Sequence, residues 1–171
     1  MTLNTLAWLF TGRVLLHNLE EALWLPTWSM RAMRWYRPVR VPAPVFRFAA
    51  GALSLAFVVL TLSATMSQPG GVAAYLMAGY ALAMLLNVLM PHALATVALR
   101  RYMPGTATAL LLNLPLGLLY LQQALAEHAI EPRMFRWAGP LVVVGLLVAM
   151  PVLFALGRVA CRARAVPQDM R

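Results

Sequence analysis

Four stretches of the chain stay apolar for about 20 residues, the length an α-helix needs to cross the hydrocarbon core of a bilayer. They fall at about 45–66, 72–99, 106–126 and 137–157, separated by Gln68-Pro69-Gly70-Gly71, Met103-Pro104-Gly105 and Glu131-Pro132-Arg133. Proline and glycine in these breaks are turn formers. An earlier stretch, about 3–25, is long enough to span but less apolar, and Pro26 is expected to end it. The pattern predicts an all-α, single-domain integral membrane bundle of five transmembrane helices over residues 1–171. Between the first two helices, Pro26–Pro44 carries Trp28, Trp35, Tyr36 and Arg31, Arg34, Arg37 and Arg40, and reads as an interfacial linker or short surface helix.

Composition supports a membrane chain. Residues are 62% hydrophobic and 11% charged, against about 25% charged in soluble domains. The formal net charge is +9, all of it from arginine, because the chain has no lysine. These arginines cluster between the apolar stretches, so they point to anionic lipid and to membrane orientation rather than to nucleic acid. The first loop, the Arg100–Arg101 connection and the tail with Arg158, Arg162, Arg164 and Arg171 are basic, whereas the second loop has no arginine. The positive-inside rule then puts the N-terminus outside and the C-terminus in the cytoplasm. A single cysteine, Cys161, excludes an intrachain disulfide, and the N-terminus lacks the basic start and cleavage site of a signal peptide.

The first stretch holds the informative chemistry. His17, Glu20 and Glu21 fall within about 100° of arc on a helix, with Arg13 one turn earlier in the same sector. A charged side chain at the centre of a membrane helix costs roughly 2.5–3.5 kcal/mol, so such groups pair, bind a metal or serve a function. Imidazole and carboxylate at i, i+3 and i+4 suit one metal ion; the plainer alternative is an ion-pair network of Arg13 with Glu20 or Glu21. In the third stretch Pro91 predicts a kink just before His92. The predicted topology puts His17, Glu20, Glu21, His92, Tyr102, Thr106, Thr108 and Asn113 in one cytoplasmic-side layer. His128 falls at the opposite face, as a solvated loop residue.

His17-x-x-Glu20-Glu21, a following histidine at His92 and Tyr102-x-Pro104-Gly105 occur in the order of the HXXEE-domain family, which the chain resembles from about residue 13 into the fourth helix. The resemblance implies an integral membrane protein of the bacterial inner membrane. It marks these residues as the site but implies no reaction.

The expected function is a metal-dependent membrane enzyme acting on a lipophilic substrate in an inner-leaflet cavity between the first, third and fourth helices. His17, His92 and one of Glu20 and Glu21 are the expected ligands of a divalent metal, zinc ahead of iron. The other glutamate is then the catalytic proton carrier. Arg13, Asn87, Arg100, Tyr102 and Asn113 are assigned to the substrate side. Interhelical hydrogen bonding is the plainer role for the two asparagines, orientation for Arg100, and an interfacial anchor for Tyr102. Hydrolysis of a lipid ester or amide is the simplest reaction. Non-haem iron lipid oxidation is the enzymatic alternative, and a proton-coupled transporter or a subunit of a membrane complex is the alternative of another class. Small residues at Ala49, Ala50, Gly51 and Ala52 allow close helix contact in a homo-oligomer.

Overall fold

The computed structural model describes residues 1–32 and 42–164, without the side chains of Arg31, Ala32 and Arg164. The described residues form an all-helical bundle: α1 (Leu3–Ala32), α2 (Ala43–Met66), α3 (Val72–Leu99), α4 (Thr106–Ala126) and α5 (Pro132–Arg164). Four of them, α2 to α5, are long and apolar enough to cross a membrane. The expectations for Arg34, Trp35, Tyr36, Arg37, Arg40 and Arg171, and for the side chains of Arg31 and Arg164, lie outside the described residues.

The helices close in the order α1, α2, α5, α3, α4, with α2 also touching α3. An aromatic stack joins the four helices around the core. Phe10 of α1 meets Phe57 of α2 edge-on at 5.6 Å and Tyr120 of α4 face-on at 6.0 Å. Phe57 in turn stacks on Tyr80 of α3 at 3.9 Å. Gly79 lets α5 approach α3, since a Cβ there would stand 2.5 Å from Val142 Cβ. The outer surface of α5 is leucine and valine, including Leu141, Val144, Leu147 and Val148.

The first helix buries polar groups beside apolar ones such as Phe10 and Val14, and turns other apolar groups outward. Thr11, Arg13, His17 and Asn18 are buried, whereas Trp8, Leu9, Leu16, Leu19, Leu23 and Trp24 are exposed. Its polar groups find partners inside the bundle: Thr11 bonds Thr61 at 2.7 Å, and Asn18 Nδ2 donates to Ser54 Oγ at 2.9 Å.

Two sequence expectations about helix limits are corrected. Pro26 does not end the first helix, which continues to Ala32. Proline removes one donor and crowds the carbonyl four residues earlier, here that of Ala22. Arg47 Nε reaches across from α2 and donates to that carbonyl at 3.2 Å, so the freed acceptor is satisfied and the helix persists. Residues 26–32 are therefore helix rather than linker. The last helix also exceeds 137–157 at both ends, with Pro140 and Pro151 inside it.

Candidate metal centre

Breaks in two helices position the site. In α3 the α-helical hydrogen bonding gives way to a π-type segment, Val88–Ala93, in which Met90 is extended (φ −135°, ψ 116°) and the bond to Pro91 is cis. The kink expected from Pro91 is present, and after it His92 is fully buried. In α4 a second π-type segment, Ala109–Asn113, follows the first helical turn. Such segments often sit at functional sites. The two segments touch one another.

The turn from α3 to α4 is built against them. Arg100 closes α3 in the left-handed conformation (φ 48°), with its N–H donated to Val97 O and that of Arg101 to Thr96 O. This pair of bonds satisfies the last carbonyls of the helix. Thr96 and Thr106 hydroxyls then join the two helix ends at 2.9 Å. Gly105 sits beneath the imidazoles at φ +91°; a Cβ there would meet His92 Cε1 at 2.6 Å, His17 Cε1 at 3.0 Å and Glu21 Cγ at 3.2 Å. Its lack of a side chain thus does more than permit the turn: it lets backbone pass directly under the cluster.

His17, Glu21 and His92 converge, each offering a ligand atom within 4.8 Å of the others. Glu21 Oε1 lies 3.1 Å from His92 Nε2 and 3.9 Å from His17 Nε2. Donors held by one tetrahedral zinc at about 2.0–2.1 Å stand roughly 3.4 Å apart, so these spacings bracket the requirement. Both histidines are fully buried and Glu21 is 17% exposed, so the cluster is reached from the carboxylate side.

The hydrogen bonds fix the His17 tautomer. Thr108 Oγ1 donates its one proton to Glu20 Oε2 at 2.6 Å or to Gly105 O at 3.1 Å. It must therefore accept the bond it shares with His17 Nδ1 at 2.9 Å, so Nδ1 carries the hydrogen. Nε2 is left with its lone pair toward Glu21 and His92. Asn87 Nδ2 approaches that lone pair at 3.3 Å. A hydrogen-bonded Nδ1–H behind a free Nε2 is the usual arrangement of a metal-ligating histidine. His92 Nδ1 has no hydrogen-bond partner among the described residues.

Glu20 is placed differently from the expectation that either glutamate can be the ligand. It turns away from the cluster and accepts three bonds, from Tyr102 Oη at 2.7 Å, Gly105 N at 2.9 Å and Thr108 Oγ1 at 2.6 Å. Adjacent residues on a helix differ by about 100° in direction, and here that separates a cluster carboxylate from a supporting one. Tyr102 does point its hydroxyl toward the site, through Glu20. Its proton is held: burial and the bond to Glu20 raise the phenol above its ordinary pKa. Trp28 Nε1, on the helical extension past Pro26, donates to Tyr102 O at 2.8 Å and ties the turn to α1.

Other assignments separate from the cluster. Arg13 makes no ion pair with Glu20 or Glu21; it lies over the Phe10 ring at 4.5 Å, and its guanidinium nitrogens lack partners among the described residues. Asn113 is fully buried, and its amide has no partner either, contrary to the interhelical bond expected of it. Arg100 is an exposed helix cap. His128 is exposed in the turn after α4, as expected. A cavity of about 290 Å³ lies at the other end of the bundle, lined by Thr2, Asn4, Gln68 and Glu127 among others. Gly105 packs against the histidines, with Pro104 and Thr106 buried on either side of it in the chain. Thr108 and Gly105 carry roles that pattern alone does not reveal, although their nearness to Tyr102-x-Pro104-Gly105 is the available signal.

A family model described as a protein of unknown function with HXXEE motif matches residues 8–120. An uncharacterized Bacillus subtilis protein, YrkK, is 32% identical over 155 residues, covering 86% of this chain and 92% of that protein. No solved structure matches the chain.

Proposed function

We infer from the geometry of this chain, which belongs to the HXXEE-motif family, that it is a metal-dependent membrane enzyme acting on a lipophilic substrate. One observation carries the reading: the lone pair of His17 Nε2 is directed, by a hydrogen bond behind it, to where Glu21 and His92 converge. Three protein ligands leave a fourth position for water or substrate, as catalytic zinc sites do. A divalent ion bound there supplies a Lewis acid and lowers the pKa of water toward neutrality. His17, His92 and Glu21 would hold it.

The residues of the chain divide the remaining work. Glu20 is a positioning residue: through Thr108 it holds the His17 ring and its tautomer. Glu21, the part-exposed ligand, lies on the side from which water and substrate would reach the ion. Hydrolysis of an ester or amide within a lipid is the simplest reaction for this set. Zinc is taken ahead of iron because hydrolysis needs only a Lewis acid, although the same two histidines and one carboxylate are the ligand set of non-haem iron enzymes. The outward leucines and tryptophans of α1, with histidine inward, support its standing as a fifth span, and the arginine distribution supports an outside N-terminus.

A second reading, a proton-coupled carrier, draws on the two broken helices beside buried ionisable groups, an arrangement that transporters use at the membrane midplane. Metal analysis of purified protein separates the two. About one zinc per chain, lost in His17→Ala and His92→Ala with the fold retained, supports the enzyme. Metal-free protein that takes up no zinc overturns it.

A further inference from the structure

The buried cation of α1 is not part of the histidine cluster. Arg13 is 3% exposed, and Nε, Nη1 and Nη2 all lack hydrogen-bond partners among the described residues. The face of Phe10 at 4.5 Å attracts the charge but accepts none of the five N–H bonds. Asn113, 0% exposed, is likewise unpartnered at both Nδ2 and Oδ1. Leaving a buried donor unmet costs roughly 1–3 kcal/mol, and more when it is charged.

The two residues share one level of the bundle. Helix α1 runs antiparallel to α4: Phe10 packs on Tyr120 and against Gly117, His17 bonds Thr108, and Glu20 bonds Gly105 N. Arg13 lies between Phe10 and His17 on one helix, and Asn113 between Thr108 and Gly117 on the other. The α1 helix touches the π-type segment that Asn113 ends. A planar guanidinium fork and an amide donor at one level of a bundle are the recognition set for a two-oxygen anion.

The surroundings select the carrier of that anion. Leu9, Gly12 and Leu16 on α1, and Leu110, Leu111, Leu112 and Pro115 on α4, are exposed near them in sequence. An approach through such surface is open to a hydrocarbon chain and unfavourable to a hydrated ion. We propose that Arg13 and Asn113 bind the oxyanion headgroup of an amphiphile, a carboxylate or phosphate on an acyl chain, inside the bundle and one helical turn, about 6 Å, from His17. The site requires no metal and holds under either functional reading.

Binding of radiolabelled oleate to the purified protein in neutral detergent tests this, as purified and again after chelation, with oleyl alcohol and inorganic phosphate as competitors. Saturable binding near one per chain is expected, unaffected by chelation and by either competitor. Arg13→Gln and Asn113→Leu should weaken it, the arginine change by roughly 10- to 100-fold, the worth of a charge-assisted hydrogen bond. Competition by oleyl alcohol equal to that by unlabelled oleate would show a merely apolar groove and overturn the proposal. Displacement by inorganic phosphate would show a site for free anions and overturn the amphiphile. If Arg13→Gln fails to fold, the comparison of oleate with oleyl alcohol on the unaltered protein still decides. Loss of zinc binding in His17→Ala with oleate binding intact would separate the two sites.

Discussion

His17 Nδ1 donates to Thr108 Oγ1 at 2.9 Å, and that contact, made across 91 positions of sequence, determines which ring nitrogen faces Glu21 and His92. Threonine can do this because its own proton is already committed to Glu20 or Gly105. Thr108→Val keeps the shape and removes the acceptor. Zinc affinity should fall about 10- to 100-fold, the usual effect of losing the group behind a ligating histidine. Thr108→Ser should retain it. A competition titration with a chromogenic chelator measures both, and equal affinity of Thr108→Val and the unaltered protein would remove Glu20 and Thr108 from the account.

Asn87 makes the opposite prediction. Its amide caps the His17 Nε2 lone pair at 3.3 Å, so a cation must displace it. Asn87→Ala should leave zinc affinity unchanged or raise it by a few-fold, up to roughly the 0.5–1.5 kcal/mol of one neutral hydrogen bond. A tenfold fall in the same titration would make Asn87 a ligand instead.

Gly105 should tolerate no side chain. Alanine there combines a left-handed φ of +91° with a Cβ at 2.6 Å from His92 Cε1. The backbone strain alone is about 1–3 kcal/mol. Gly12→Ala is the matched control, because nothing lies within 4 Å of its Cβ. Thermal unfolding in detergent should show a clear loss for Gly105→Ala and none for Gly12→Ala; similar midpoints for the two would contradict the packing of Gly105 against the imidazoles.

Tyr102 should titrate late. Burial and the hydrogen bond to Glu20 raise its phenol pKa. The fold thus favours the protonated phenol. That stabilisation is fully present below the unfolded value of about 10 and is lost as pH rises through the folded value. The difference in phenolate absorbance between the unaltered protein and Tyr102→Phe should have its midpoint above 10. Between neutral pH and about 10 the stability difference between the two proteins should stay flat, and it should shrink as pH rises further.

Arg47 and Pro26 should be coupled. The guanidinium Nε serves the Ala22 carbonyl that proline frees. Arg47→Met should cost more when Pro26 is present than in a Pro26→Ala background, where the restored backbone N–H can take the carbonyl. A double-mutant cycle should return roughly 0.5–1.5 kcal/mol of coupling; additivity would mean that the helix crosses Pro26 without help from α2.

Pattern along the chain was enough for the helical class, the apolar segments α2 to α5 and the grouping of His17 and His92 with one of Glu20 and Glu21. It sufficed because hydrophobic length and helical period are local properties, and because charge inside an apolar run is conspicuous wherever it occurs. It also placed the kink at Pro91 and left His128 outside the site. Only the tertiary structure decided that Glu21 joins the cluster while Glu20 supports it, since two adjacent residues differ by the direction in which each meets another helix. The same holds for Thr108, a plain threonine until His17 and Glu20 stand on either side of it, and for Arg13, whose lack of a carboxylate partner follows from how α1 packs on α4. Pro26 shows the limit most simply. Its effect on the helix depends on whether anything reaches the Ala22 carbonyl, and the residue that does so, Arg47, comes from the next helix.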